Sequence, residues 1–388
     1  MRPYELRGGR VLLTVPTRDD IDRITLLCQD EQIRRWVSVP SPYQRRDAHV
    51  FVREMVPAGW DSGRELTWAV REPQDRTVLG MVGVALDGHG SAEIGFWLAA
   101  EARGSGLMAE AVQLVVDNAF DPQGLALERL LWRAQVGNWP SRRVAWRSGF
   151  RFDGTVRSEL AQRSQRHDAW VATLLSTDKR EPLLPWFDVP TLHGNGVVLR
   201  RWRNSDADAV VEACNDPVTR HWLGGLPDPY THDTALAYIA DREQYHATAR
   251  GVHWAAAVDE AGPAIGSFSL MAPTGGDSPI KHTAEVGYWV SPSARGRGVA
   301  TEAVRLIVRH AFVATSDGGL GLRRLLLAHA DGNDASRAVA VRNGFVHTGV
   351  ERSAERLGDG TYVGLHWYDL LSTDPSSLPT FVAPEVGG

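Results

Sequence analysis

Ser291-Pro-Ser-Ala-Arg-Gly-Arg-Gly-Val-Ala-Thr-Glu-Ala303 lies between an alternating apolar run and a long amphipathic one. On its N-terminal side, Glu285, Gly287 and Trp289 alternate with Val286, Tyr288 and Val290, the period of a β-strand with two different faces. On its C-terminal side Val299, Ala300, Ala303, Val304, Ile307, Val308 and Ala311 recur at helical spacing. The glycines therefore occupy a strand–turn–helix junction. There, successive backbone N–H groups converge without Cβ crowding, and a helix start adds unpaired donors and a favourable dipole. With Arg295 and Arg297 beside them, Gly296 and Gly298 read as an anion cradle suited to a pyrophosphate. A plain structural turn is the other reading. No Lys-Ser/Thr pair follows, so this is not a P-loop, and Thr301 stands where GxGxxG would need its third glycine.

The stretch has a close copy at Arg103-Gly-Ser-Gly-Leu-Met-Ala-Glu-Ala111, at an offset of 192. Trp36, Trp68 and Gly80 match Trp222, Trp254 and Gly266 at an offset of 186. Gly137 to Phe150 match Gly332 to Phe345 at 195, and both halves close on LLSTD. An offset that grows in steps means two homologous units that differ by loop insertions. The boundaries read as 1–178, a Pro-containing linker over 179–192, a second domain over 193–374, and a flexible tail over 375–388. In each unit an opening strand precedes two helices. The second helix is expected over Asp47 to Met55 and Thr234 to Tyr245. Strands are expected near 66–71, 78–86 and 92–98, and near 253–258, 264–270 and 285–290. The amphipathic helix, a central strand and a short helix from Ser141 or Ser336 follow.

These motifs resemble the GCN5-related N-acetyltransferases (GNAT), with closest likeness to the RimJ/RimL branch that acetylates ribosomal protein N-termini. The family's Arg/Gln-x-x-Gly-x-Gly/Ala motif is met by Arg295, Gly298 and Ala300, and Asn333, Ser336 and Gly344-Phe345 meet a later one. The resemblance covers nearly the whole chain, twice. It implies an α/β (mixed α+β) fold: two tandem domains, each a mostly antiparallel sheet splayed at its fourth and fifth strands and flanked by helices. It implies acetyl-CoA as cofactor, held by Val290, Arg295, Gly296, Arg297, Gly298, Val299, Ala300, Thr301 and Asn333. It also implies direct attack by a primary amine, the acceptor being a protein N-terminus or a small molecule. Ser336 is then a candidate acid for the departing thiolate. Glu285 is a candidate base, a salt-bridged strand Glu being the alternative; Asn333 is a catalytic candidate or simply a helix cap. Neither cysteine lies near these motifs, and no covalent intermediate is needed.

The N-terminal copy keeps Arg103, Gly104, Gly106, Glu93, Asn138 and Ser141, but Ser105 replaces Arg297 and Met108 replaces Ala300. The C-terminal domain is therefore expected to be the catalyst; in the N-terminal one Arg103, Gly104, Ser105, Gly106, Met108, Asn138 and Ser141 are further cofactor-binding candidates, a degenerate domain being the alternative. A noncatalytic acyl-CoA sensor or scaffold is the competing class. Trp222, Tyr230 and Trp289 are acceptor-pocket candidates, with core packing as the other reading of the recurring tryptophans.

The chain has 388 residues, enough for two cores, with 43% apolar and 23% charged residues, an ordinary globular balance. The net charge of -5 gives no general footprint for nucleic acid. Cys28 and Cys214 read as small buried thiols. No histidine has metal-ligand spacing, so no metal is assigned. No signal peptide or membrane-length apolar run is read, so a cytoplasmic location is expected. A monomer built as an internal pseudo-dimer, or a homodimer, is expected.

Overall fold

The structure is a computed structural model that describes residues 1–74, 76–272 and 280–374; the expected tail lies outside them. The chain divides into two compact units after Leu183.

The N-terminal unit opens with β1 (Leu6–Arg7) and β2 (Leu12–Thr14), then α1 (Ile21–Leu27) and α2 (Glu31–Trp36). Next, α3 (Arg45–Val50) runs through a π-helical turn at Phe51–Met55 into α4 (Val56–Ser62). This helical segment outlasts the one read from sequence. Pro57 starts a new turn rather than ending the old one, because proline is tolerated in a helix's first turn. Strands β3 (Glu65–Arg71), β4 (Val78–Leu86) and β5 (Ser91–Leu98) lead to α5 (Leu107–Phe120) and β6 (Arg129–Gln135). Helix α6 (Trp139–Arg147), β7 (Arg151–Gln162) and β8 (Gln165–Leu175) complete the unit.

The C-terminal unit repeats the order. It has β9 (Leu192–Gly194), β10 (Val197–Arg200), α7 (Ala207–Asn215), α8 (Pro217–Trp222) and α9 (His232–Ala247). Then come β11 (Gly251–Ala257), β12 (Gly266–Met271), β13 (Thr283–Val290), α10 (Val299–Phe312) and β14 (Arg324–Ala330). It ends with α11 (Asp334–Arg342), β15 (Val346–Arg356) and β16 (Tyr362–Leu371). Part of the expected linker belongs here: Trp186 is buried, Phe187 and Val189 pack on this unit's core, and Pro190 O accepts from Trp254 Nε1 at 3.0 Å. Its apolar side chains dock, so it is not a free tether.

Each sheet has eight strands, ordered β1-β2-β3-β4-β5-β6-β8-β7 and β9-β10-β11-β12-β13-β14-β16-β15. Every pairing is antiparallel except β5–β6 and β13–β14, which a crossover helix joins. Those parallel pairs are short. Thr283 to Val286 pair with Arg324 to Leu327, and Ser91 to Ile94 pair with Arg129 to Trp132. Beyond them the two strands part, and a wedge opens in the sheet. This is the expected splay.

The crossover helix buries the stripe read from its sequence. Val299, Ala303, Val304, Ile307, Val308 and Ala311 pack on Val252, Trp254, Phe268, Leu325 and Leu327, and α5 does the same in its own unit. Helices α7 and α9 cover the opposite face with a smaller core around Val210, Cys214, Ile239 and Ala255. Both cysteines are free and buried, and burial pushes their thiols up to about 12 (Cys28) and about 11 (Cys214).

Candidate active site

The C-terminal turn begins where β13 ends at Val290. Gly296 (φ 73°) and Gly298 (φ 79°) adopt the left-handed backbone that lets the chain reverse into α10. A Cβ at either position would meet no protein atom within 4 Å. The glycines are therefore required by backbone geometry, and the space before them is open. Gly298 is the N-cap of α10 and offers no side chain to the first N–H groups of the helix. Arg297 is exposed, and among the described residues it has no hydrogen-bond or ion-pair partner. Open space, uncapped amides and a spare guanidinium fit the pyrophosphate of acetyl-CoA.

Arg295 has a different task from the one its motif suggests. Its Nη2 donates to Asp216 Oδ2 at 2.6 Å and to Thr219 Oγ1 at 2.7 Å, and its Nε donates to Val290 O at 3.2 Å. Asp216 also caps α8 through Thr219 N at 2.9 Å. Burial would raise this carboxyl, but Arg295 and Thr219 outweigh burial and hold it below its ordinary range. The guanidinium is a strut between the turn and α8.

The wedge holds the second cluster. Asn333 Oδ1 accepts from Ser336 N at 3.1 Å, so the asparagine is the N-cap of α11 and fixes the position of Ser336. Across the opening, Ser336 Oγ lies 2.8 Å from the hydroxyl of Tyr288. Tyr288 stacks on Phe268 at 5.5 Å, and burial pushes its phenol up to about 12, against the opposing pull of Ser336. Sequence reading treated Tyr288 only as an apolar-face residue. The signal was there: a tyrosine that strand alternation turns toward the core needs a partner for its hydroxyl.

Glu285 is half-buried on the other face of β13, opposite Met271 on one side and Leu326 on the other. Trp289 shares that face and packs beside Trp202 against the α7–α9 core. Trp222 stands outside the core clusters, and a Cβ at Gly332 would lie 3.9 Å from its ring. It flanks the turn before α11. Tyr230, read as a pocket residue, is a core residue: it is 5% exposed and packs with Cys214 in the α7–α9 core, because the segment before α9 folds inward.

The N-terminal unit builds the same frame. Arg103 Nη2 donates to Asp30 Oδ1 at 2.5 Å, Asn138 caps α6 through Ser141 N at 3.3 Å, and Gly104 and Gly106 have φ of 78° and 84°. Its turn is not open in the same way. Ser105 Oγ accepts from Leu107 N at 3.3 Å, and Arg10 Nη1 donates to Ser105 O at 3.1 Å. Glu93 is held by Arg133 Nη2 at 2.5 Å. Ser141 Oγ accepts from Trp132 Nε1 at 3.1 Å, and Phe96 stands in the place of Tyr288. A cleft of about 520 Å³ nevertheless remains, lined among others by Trp36, Phe96, Trp97, Gly104, Met108 and Ser141.

Among the described residues, no group of three or more His, Cys, Asp or Glu could hold a metal ion. Nor is any helix there long and apolar enough to cross a membrane.

A twice-repeated splayed sheet, with a glycine-capped helix start beside the splay, defines a class of acyl-CoA-dependent transferases. The acetyltransferase (GNAT) domain family matches residues 10–151 and 197–346, most of the chain, and the protein belongs to that family. It is a tandem acetyl-CoA-dependent N-acetyltransferase that acts on an amine. It is 29% identical over 186 residues to a Bacillus subtilis (strain 168) protein named "Putative ribosomal N-acetyltransferase YdaF", a match covering 46% of this chain and 92% of that one. It is 35% identical over 81 residues to the Escherichia coli (strain K12) ribosomal-protein-serine acetyltransferase, 21% of this chain and 42% of that one. A solved ribosomal-protein-S5-alanine acetyltransferase from Vibrio fischeri aligns with a TM-score of 0.40 at 16% identity, over 46% of this chain and 100% of that one.

Proposed function

We propose that the C-terminal unit carries the transfer and that its acceptor is the N-terminal amine of a polypeptide, as in the RimJ/RimL branch. The N-terminal unit, in this reading, keeps a cleft but holds acetyl-CoA weakly and does not transfer. Acetyl-CoA, when bound, supplies an activated acetyl thioester. The amides from Arg297 to Thr301 and the Arg297 guanidinium hold its pyrophosphate at the start of α10. Asn333 fixes Ser336, whose hydroxyl serves the departing sulfur. Glu285, on the opposite face of β13, takes the proton of the incoming amine directly or through a water. Arg295 keeps the turn in register with α8.

The observation that carries this reading is the open turn with its spare guanidinium at Arg297, against a Ser105-capped turn in the other unit. The names of the Bacillus and Escherichia relatives support a polypeptide acceptor.

Calorimetry with acetyl-CoA is expected to find one tight site per chain. R297S, which copies Ser105, should weaken it by about tenfold, the size of one charge-assisted hydrogen bond. Mass spectrometry should show acetylation of a peptide with a free N-terminal serine and none of the same peptide with a blocked N-terminus. Unchanged binding in R297S would remove the C-terminal cradle. Transfer to small amines only would remove the polypeptide acceptor.

A further inference from the structure

Two serines stand at the same place, at the start of α6 and of α11. Each has a hydrogen-bond partner, but from opposite lips of the wedge. In the N-terminal unit the donor is Trp132 Nε1, from β6, 3.1 Å from Ser141 Oγ. In the C-terminal unit the position of Trp132 is Leu327, which has no polar atom, and the partner is Tyr288 from β13, at 2.8 Å. The position of Tyr288 in the N-terminal unit is Phe96. One unit therefore has tryptophan and phenylalanine where the other has leucine and tyrosine. The polar partner has changed strands while the contact to serine is kept.

The indole N–H can only donate, so Ser141 Oγ must accept, and its own proton is left to point elsewhere. Tyr288 can donate or accept. Among the described residues its hydroxyl has Ser336 Oγ as its recorded partner, and a half-buried phenol whose proton has no acceptor pays part of a desolvation penalty. Donation to Ser336 satisfies the phenol and reproduces the polarity at Ser141.

We infer that Tyr288 is the positioning residue for Ser336: its phenol donates to Ser336 Oγ and so aims the serine proton into the opening between β13 and β14, toward the departing sulfur. This rests on the C-terminal cleft being the site of transfer.

In the transfer, the amine nitrogen bonds to the acetyl carbon and the C–S bond breaks. The sulfur keeps the electron pair, and the nitrogen loses one proton to Glu285 or solvent, from which the thiol is later restored. Tyr288 and Ser336 stay protonated throughout. A thiol ionises near 8.5 and an aliphatic hydroxyl far higher, so Ser336 stabilises the thiolate by a hydrogen bond and does not surrender its proton. A chain of two hydroxyls polarises in one direction and strengthens that bond.

The test uses the full chain, acetyl-CoA and a peptide with a free N-terminal serine. Y288F should lower kcat by about 3- to 10-fold, the range of one neutral hydrogen bond, with KM for acetyl-CoA within about twofold. On an S336A background, Y288F should have no further effect. A second readout needs no turnover. The pH at which enzyme-bound CoA forms its thiolate, followed by ultraviolet absorbance, should rise by about 0.5 to 1 in Y288F, the same free energy expressed as a pKa. Unchanged kcat and unchanged CoA ionisation in Y288F would overturn the inference. An equal loss in both backgrounds would also overturn it, since that marks packing and not aim. Full activity in S336A would remove the C-terminal site itself, which is a separate failure. Y288L, which loses the ring as well, should fall at least as far as Y288F; a Y288L more active than Y288F would also count against the inference.

Discussion

At Gly298 a helix start faces open space, with Arg297 beside it unpaired among the described residues, whereas at Gly106 Ser105 and Arg10 already satisfy the turn from within the chain. The backbone is the same: both glycines are left-handed N-caps of fourteen-residue helices. The side chains around it decide what that backbone is available for. The same holds at the candidate base. Glu93 pairs with Arg133, and the position of Arg133 in the C-terminal unit is Ala328, so the two glutamates draw their partners from different places. A fold can thus be kept whole while the polar groups around its turn take different partners.

The units also meet one structural need by different residues, and this comparison carries the largest expected effect. Each buries an aspartate, Asp20 or Asp206, before its first helix. In the N-terminal unit Arg71 of β3 reaches Asp20 Oδ2 at 2.6 Å, and in the C-terminal unit Arg200 of β10 reaches Asp206 Oδ1 at 2.8 Å. The register makes Thr14 the equivalent of Arg200, and Arg71 the equivalent of Ala257. The arginine has moved to the neighbouring strand. Each also donates to a carbonyl in the next hairpin, Arg76 O or Gly262 O. Breaking a buried pair strands a charge, so R71A and R200A should each cost about 3–5 kcal/mol in unfolding experiments. The double variant T14R/R71A, which copies the C-terminal arrangement, should recover most of the loss. A loss under about 1 kcal/mol would mean the pair is dispensable. Burial raises the Asp20 carboxyl, but its bonds to Arg71 and Thr17 hold it below the ordinary range. Its contribution is thus present above about pH 4 and lost as the pH falls through the lowered value. R71A should flatten that acid limb.

Valine at the two glycines is the next largest test. Both G298V and G106V place a β-branched residue at positive φ, with similar backbone strain of about 1–2 kcal/mol. Only G298V also puts atoms into the cradle. Acetyl transfer should fall by about 100-fold or more in G298V and stay within about twofold in G106V, measured by thiol release. Equal losses would mean that both clefts transfer.

Much of this was legible in the sequence. The duplication follows from segments that match at stepwise offsets, and both sheet faces of β13 and the stripe of α10 follow from periodicity, because burial imposes it. What stayed hidden depended on partners that only folding brings together. Arg295 carries the motif, yet it is Asp216, 79 residues away, that turns it into a strut. Tyr288 and Ser336 are 48 residues apart, and neither pattern predicts the other. Tyr230 looked like a pocket residue from its place in a loop, but the loop folds into the core. The arginine exchange at Asp20 and Asp206 escapes any alignment by position, since Thr14 faces Arg200 there.

The smallest expected effect concerns Ala300 and Met108, the second residues of their helices. Met108 is 5% exposed, packs into its core and lines the N-terminal cleft, while Ala300 is only partly buried. Methionine is a good helix former, so A300M should leave the helix intact. Its thioether extends toward the region the cofactor occupies in the reading above. A flexible side chain can fold away at modest cost, so the penalty should be about 1 kcal/mol, or roughly a fivefold rise in KM for acetyl-CoA with kcat little changed. The reverse change, M108A, would leave a cavity and destabilise the N-terminal unit, so it is the poorer probe. If A300M binds acetyl-CoA as tightly as the natural chain, the methionine is core filling. The weaker N-terminal cradle would then rest on Ser105 and Arg10 alone, and S105R/R10A should restore a second calorimetric site.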